Sequence, residues 1–212
     1  MTTSRLPALP LSRSWLFLAL LAILTLAGIL RLHGVRWDAA CPPETAAEEA
    51  TCLVTHLHPD ERFLTMVATA LELPGSLGEY LDTESSTANP HNRGYGFFAY
   101  GLFPVLSVKS VAAAFDLAGY DQVHLVGRAV SVLCSVLTVG LLYVLGRRLY
   151  DPWIALMAAL LLALAVLPIQ QAHFFTVDSM ATTASMLALL FAVDISQRGR
   201  WRDFLLFGLA LG

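Results

Sequence analysis

Charge is scarce in this chain. Only 14% of its residues are Asp, Glu, Lys or Arg, 57% are hydrophobic and the mean hydropathy is +0.65, whereas a soluble domain carries about 25% charged residues. That balance excludes an ordinary soluble domain and reads as an integral membrane protein. An excess of either sign is lacking too. Sixteen acids against 13 bases leave a net charge of −3, too weak and too mixed for a surface that binds nucleic acid. Cysteine is limited to Cys41, Cys52 and Cys134. A prompt small-x-small cleavage site is also missing after the apolar run from Trp15 to Leu32. The run exceeds a typical signal core and further spans follow, so it reads as a retained transmembrane helix.

The few charges are unevenly placed. Residues 1–14 form a short leader with Arg5 and Arg13, residues 15–33 the first span, and residues 34–123 an acidic loop with Arg36, Arg62, Arg93 and Lys109 as its only strong bases. Residues 124–212 return to apolar spans, at about 124–146, 152–169 and 177–195, with the start of another at 204. The basic turns Arg147/Arg148 and Arg198/Arg200/Arg202 separate them. The expected fold is therefore an all-α polytopic membrane protein whose long first outer loop carries surface helices. The nine residues from Phe204 to Gly212 begin a helix but fall short of the roughly 20 needed to span. The sequence accordingly reads as the N-terminal part of a longer membrane protein.

Phe97 to Phe115 is apolar and nearly long enough to cross, yet it holds Gly101, Pro104 and Lys109. Topology arbitrates. If it does not cross, the leader arginines and both basic turns share the cytoplasmic side. Two polar islands, His56-Leu57-His58-Pro59-Asp60-Glu61 and His173-Phe174-Phe175-Thr176-Val177-Asp178, then share the outer face. A surface-lying or re-entrant segment is expected, with its polar approach, Leu81 to Gly96, as a loop.

The islands hold the candidate chemistry. Pro59 is suited to open an amphipathic helix over Asp60 to Leu73, with Phe63, Val67, Leu71, Met66 and Leu73 at helical spacing. Asp60 and Glu61 would fall in its first turn, where the helix dipole favours carboxylates. Neighbours on a helix point about 100° apart, so one of the two facing a cleft is enough for a general base. Asp178 and His173 could approach from the second island, and Asp178 also reads as an N-cap for the following span. Alternate spacing of His56, His58 and Asp60 would suit a metal site on a strand, but Pro59 interrupts it. Arg128, near the outer end of a span, is either a phosphate ligand or a side chain snorkelling to the interface. Cys41 and Cys52 either close a small disulfide loop or stay as free thiols.

Several motifs in order carry a resemblance. They are His58-Pro59-Asp60-Glu61, Asn89-Pro90, Gly94-Tyr95-Gly96-Phe97-Phe98-Ala99-Tyr100-Gly101 with Pro104, Gly127-Arg128-Ala129-Val130-Ser131, Gly146-Arg147-Arg148-Leu149-Tyr150, and Ile169-Gln170-Gln171-Ala172 running into the second island. Together they resemble the family-39-like glycosyltransferases of the GT-C superfamily, relatives of protein O-mannosyltransferases and lipid A aminoarabinose transferases, in a poorly characterised bacterial and archaeal membrane branch. The resemblance covers nearly the whole chain from His56 onward.

It implies a GT-C-like helix bundle in the plasma (inner) membrane that transfers a sugar from a polyprenyl-phosphate donor to a protein, lipid or glycan acceptor on the extracytoplasmic face. It implies Asp60 as base with Glu61 beside it, Asp178 assisting, and Arg128, His58, His173 and Tyr100 at the substrate, with a divalent metal ion as the rival to Arg128 for the phosphate charge. The Cys41 to Cys52 insert departs from the family pattern. Two other readings stand beside this one. One is a membrane metal-binding or transport protein using His56, His58, Asp60 and His173, although the spans hold few further ligands. The other is a non-catalytic membrane scaffold.

Overall fold

The computed structural model describes residues 13–40, 53–54 and 56–212, so Cys41, Cys52 and the pairing considered for them lie outside the described residues. The chain is built from helices: α1 Arg13–Leu32, α2 Pro59–Ala70, α3 Leu77–Leu81, α4 Leu102–Ala114, α5 Tyr120–Leu149, α6 Pro152–Leu164, α7 Val166–Ala172, α8 Asp178–Arg198 and α9 Trp201–Leu211. Extended pairing is limited, among the described residues, to β1 Ala39–Ala40 against β2 Leu53–Val54, antiparallel with Ala39 opposite Val54.

Three helices, α1, α5 and α8, are long and apolar enough to cross a membrane, and α6 with α7 makes a fourth candidate bent by 56°. The single helix expected over 152–169 is thus two. Pro168 supplies no N–H to the Leu164 carbonyl and its ring crowds that position, so Ala165 turns extended (φ −64°, ψ 127°) and the chain restarts at Val166. At its other end, α6 opens on Pro152 after Asp151, whose carboxylate accepts the N–H groups of Trp153 and Ile154. The α4 helix is 13 residues long, about 20 Å at 1.5 Å per residue and short of the ~30 Å hydrocarbon core. Large apolar side chains such as Phe17 and Leu21 of α1, Leu133 of α5, Leu161 of α6 and Leu205 of α9 are exposed, as lipid-facing surfaces require.

Two packed layers lie along the bundle. In one, Ala27 of α1, Val139 and Tyr143 of α5, and Ala155, Ala159 and Ala163 of α6 are buried together. The small residues let these helices approach closely. In the other, Leu64, Val67, Ala68 and Leu71 from α2 and its end meet Val105, Val108 and Ala112 of α4, Val123 and Val126 of α5, and Phe175. Of the expected apolar positions, Val67 and Leu71 are buried and Phe63 packs against them, whereas Met66 and Leu73 are exposed and the helix stops at Ala70. Packing of α2 onto α4 and α5, rather than onto a flat interface, selects that face. The loop that follows contains α3 and a 3₁₀ turn at Pro90–Arg93, capped by the Asn89 side chain on the His91 N–H.

Opposite charges mark the end of the bundle away from the polar islands. Arg148 pairs with the buried Asp194, Arg198 approaches the same carboxylate at 3.8 Å, and Arg147 lies over the Tyr143 ring.

The closest approach in the islands' layer is between Phe175 and α5, where Gly127 offers no side chain. A Cβ at Gly127 would run into the Phe175 ring. Replacing Gly127 by Ala should therefore destabilise the fold by about 1–3 kcal/mol through overpacking, read as a lower unfolding midpoint in detergent. The same change at Gly28, which has open space around it, should leave the midpoint nearly unchanged.

Candidate functional site

The two polar islands are in direct contact at the α1-C-terminal end of the bundle. Phe175 donates its backbone N–H to Glu61 Oε1 at 2.8 Å, the His58 ring lies 4.5 Å from that of Phe174, and Trp37 meets the other edge of Phe174 at 5.9 Å. Both islands are therefore presented on one side of the molecule.

Beneath them sits Arg128. Its Nε and Nη2 donate to the two oxygens of Glu61 at 2.7 Å, its Nη1 and Nη2 to the two oxygens of Asp38 at 2.7 and 2.6 Å, and its Nη1 also to the Val35 carbonyl at 2.7 Å. All five N–H groups are thus used within the chain. Arg128, Asp38 and Glu61 are buried, with the Arg128 and Glu61 residues 0% exposed, so Arg128 neither snorkels nor has a hydrogen left for a phosphate in this arrangement. Burial alone would raise the Asp38 pKa, but hydrogen bonding and attraction from Arg128 outweigh it and hold the carboxyl below its usual range.

Asp60 is one residue from Glu61 and faces elsewhere, as helical geometry requires. It is half-buried, and its Oδ1 accepts the Tyr100 hydroxyl at 2.9 Å. Gly101, at φ +77°, makes the turn that ends the Tyr100 approach and starts α4. That conformation suits glycine because it lacks a Cβ. Tyr100 packs with Phe63 and Phe98 at 5.8 and 6.0 Å between ring centres. The hydrogen bond to Asp60, then burial, then the charges of Asp60 and Asp178 raise the Tyr100 pKa. Asp178 thus adds to the field at the same spot. It is the first residue of α8, exposed, and makes no side-chain cap; the residue at the cap position is Val177.

The remaining candidates diverge. His56 is buried at φ +38°, with its ring edge-on to His124 at 4.6 Å and to Tyr120 at 5.1 Å. Burial lowers its pKa against the pull of Glu61 and Asp38. His58 turns the other way onto Phe174, and both His173 nitrogens are bound to carbonyl oxygens, Nδ1 to Ile169 and Nε2 to His33, each at 2.7 Å. Pro59 starts α2 immediately after His58, which removes the period-2 spacing that would have aligned His56, His58 and Asp60. Among the described residues no three His, Cys, Asp or Glu side chains are grouped to hold a metal ion.

Below Asp178 a cavity of about 240 Å³ opens between α5, α6, α7 and α8, lined by Ser135, Leu162, Pro168, Gln171, Asp178 and Ser179 among others. Behind its wall is Arg31, a buried cation in the last turn of α1. Sequence reading passed over Arg31, Asp38 and His124. For Arg31 the signal was present, as a charge inside an apolar run; for Asp38, one acid of many in the loop, there was none.

Residues 111–212 match the model of a family described as dolichyl-phosphate-mannose-protein mannosyltransferase. No curated protein and no solved structure matches the chain. The match covers α5 to α9 and most of the last turn of α4, including Arg128, His173 and Asp178, and points to glycosyltransferase chemistry of the mannosyltransferase type in a membrane-bound protein.

Breaking the buried ionic knot is expected to be costly. Glu61→Gln leaves Arg128 short of a counter-charge in the interior, at a cost of about 3–5 kcal/mol, measurable by unfolding in detergent. Because the Asp38 pKa is depressed on folding, its contribution is complete above the ordinary value of 3.8 and is lost as pH falls below it. Asp38→Asn should therefore flatten the acid limb of the stability profile while lowering stability at neutral pH.

Proposed function

We propose that this chain belongs to a membrane glycosyltransferase that moves a sugar from a polyprenyl-phosphate donor to an acceptor hydroxyl on the extracytoplasmic face, with Asp60 as general base. The observation that carries this reading is the division of labour between two adjacent carboxylates. Glu61 is held by Arg128 and the Phe175 N–H, whereas Asp60 is reachable from outside and oriented by the Tyr100 hydroxyl. Asp60 retains an oxygen, Oδ2, that no donor among the described residues occupies.

In the proposed reaction the acceptor O–H gives its proton to Asp60 as its oxygen attacks the anomeric carbon. The bond from that carbon to the lipid phosphate breaks on the opposite side, its electron pair leaves with the phosphate, and the sugar configuration inverts. Asp178, adding its charge to the same region as Asp60 and Tyr100, stabilises positive charge that develops on the sugar ring in flight. Glu61, Arg128 and Asp38 form the frame that fixes the first turn of α2, so that Asp60 and Tyr100 meet. His58, whose ring lies against Phe174, and His173, the residue before it, border the entry for the acceptor.

The orientation in the membrane is part of the proposal. Arg13, Arg147, Arg148 and Arg198 cluster at the end opposite Asp60, as the positive-inside tendency requires of a cytoplasmic side. With Cys41, Cys52 and Cys134 replaced, a cysteine at the exposed Leu77 should react with an impermeant maleimide added to intact cells, and one at the exposed Tyr150 only after lysis. The reverse pattern would put Asp60 on the wrong side for this chemistry.

Asp60→Asn should reduce sugar transfer from a polyprenyl-phosphate donor by at least about 100-fold, the lower range for loss of a general base, with little change in unfolding midpoint. Tyr100→Phe, which removes only the orienting bond, should cost less. Full turnover in the Asn variant would remove Asp60 as the base.

A further inference from the structure

Arg31 is a fully buried guanidinium that has no carboxylate partner among the described residues. Its Nε donates to Ser135 Oγ at 2.7 Å, Nη1 to the carbonyls of Ala27 and Ala163 at 3.2 and 3.0 Å, and Nη2 to that of Leu162 at 3.2 Å. Leu162 and Ala163 lie in the last turn of α6, where the regular i+4 donors end at the break before α7 and Leu162 keeps only a long bond from the Ala165 N–H at 3.4 Å. Arg31 therefore closes the broken helix end, where a cation is favoured by the dipole. That end carries about half a unit of negative charge, so a full positive charge is only partly balanced inside the bundle. A buried charge with an incomplete counter-charge is costly, and the balance has to come from beside it.

The cavity below Asp178 is where that balance can be supplied. Ser135, buried and on its wall, uses an oxygen lone pair to receive Arg31, and among the described residues its own hydrogen has only the Pro168 carbonyl at 3.5 Å as an acceptor. The hydroxyl is thus polarised by Arg31 and nearly free to donate into the cavity. Across from it, Ser179 is buried, with 6% of the residue exposed, lines the cavity and has no side-chain hydrogen-bond partner among the described residues. It sits in the first turn of α8, a 21-residue helix whose N-terminus has no side-chain cap. Its first N–H groups have no acceptor within the helix. Leu162, Leu167 and Pro168 supply the apolar part of the wall, and Thr138, Gln171, Thr182 and Asp178 complete it.

We infer that this cavity is the seat of an anionic phosphate borne on an apolar chain, with Ser135 backed by Arg31 on one side and Ser179 with the α8 N-terminus on the other. The inference rests on the glycosyltransferase reading and locates the donor's phosphate within it. Arg128, with every N–H engaged, is not needed for that task. The Asp178 carboxylate at the rim repels the anion from the outer side and so keeps it below the level of Asp60. That arrangement places negative charge on both sides of a sugar whose ring becomes positive as its bond to phosphate breaks.

The test is binding of geranylgeranyl monophosphate to the full chain in detergent, with geranylgeraniol and inorganic phosphate as the other two probes. The wild-type protein should bind the prenyl phosphate at least 10-fold more tightly than the alcohol or inorganic phosphate. Ser135→Ala combined with Ser179→Ala should weaken that binding at least 10-fold, and Arg31→Gln as much or more, while Ser110→Ala, exposed on α4 and away from the cavity, leaves it unchanged. Because Arg31→Gln loses contacts to α6 and could unfold the protein, the serine variant decides. If it binds the prenyl phosphate as the wild type does, the phosphate lies elsewhere and the inference falls while the donor reading stands. If the wild type itself does not distinguish the prenyl phosphate from the alcohol, the donor reading falls and the inference with it. Equal binding of inorganic phosphate and prenyl phosphate would overturn the assignment to a lipid-borne group.

Discussion

A guanidinium can be buried at tolerable cost only if each of its five N–H groups finds an acceptor and its charge finds a counter-charge. At Arg128 those conditions recruit the chain after α1, through Val35 and Asp38, and the first turn of α2, through Glu61. Glu61 then extends the set to the segment before α8 by accepting the Phe175 N–H. The position of Asp60 follows from this. It is the next residue to a carboxylate that cannot rotate, on a helix whose first turn is fixed by Pro59 and packed by Leu64 and Val67. The outward carboxylate is held in place by the inward one.

Arg31 works differently, although it is as deeply buried. Its acceptors are a hydroxyl and main-chain carbonyls, so it satisfies geometry more fully than charge. Around Arg128 two carboxylates outnumber the one positive charge, whereas Arg31 has no carboxylate partner among the described residues. Under the proposed reaction, that uneven balance suits a site that separates a base from an anionic leaving group.

The sequence made the membrane class, the first span and the start of α2 readable, because each depends on local composition or on Pro59. It also brought the two islands to one side, since the positions of Arg147, Arg148 and Arg198 constrain where the intervening helices turn. The face of α2 was legible only in part. Val67 and Leu71 are buried and Phe63 packs against them, but Met66 faces outward and Leu64 and Ala68 are buried instead, a choice that only contact with α4 and α5 makes. The role of Arg128 was open for a similar reason. Spacing shows that a charge falls in a span but not that Asp38, 90 residues earlier, will meet it. Pro168 was visible in the sequence, yet nothing there shows that Arg31 of α1 meets the Leu162 and Ala163 carbonyls beside the break it causes.

The Arg128 knot also constrains how the protein is made. Asp38 and Glu61 emerge from the ribosome well before Arg128, separated from it by 90 and 67 residues. Until α5 has been made, both carboxylates lack Arg128, and α2 has neither Val123 nor Val126 to pack against. The contacts of α2 are therefore completed late in synthesis, when a helix bearing its own positive charge arrives. Phe175, supplied later still, locks the loop only after α6 and α7 have been inserted. Order of biosynthesis thus sets order of assembly: the Asp38 and Glu61 carboxylates meet Arg128, and Glu61 meets the Phe175 N–H, only once the later helices exist.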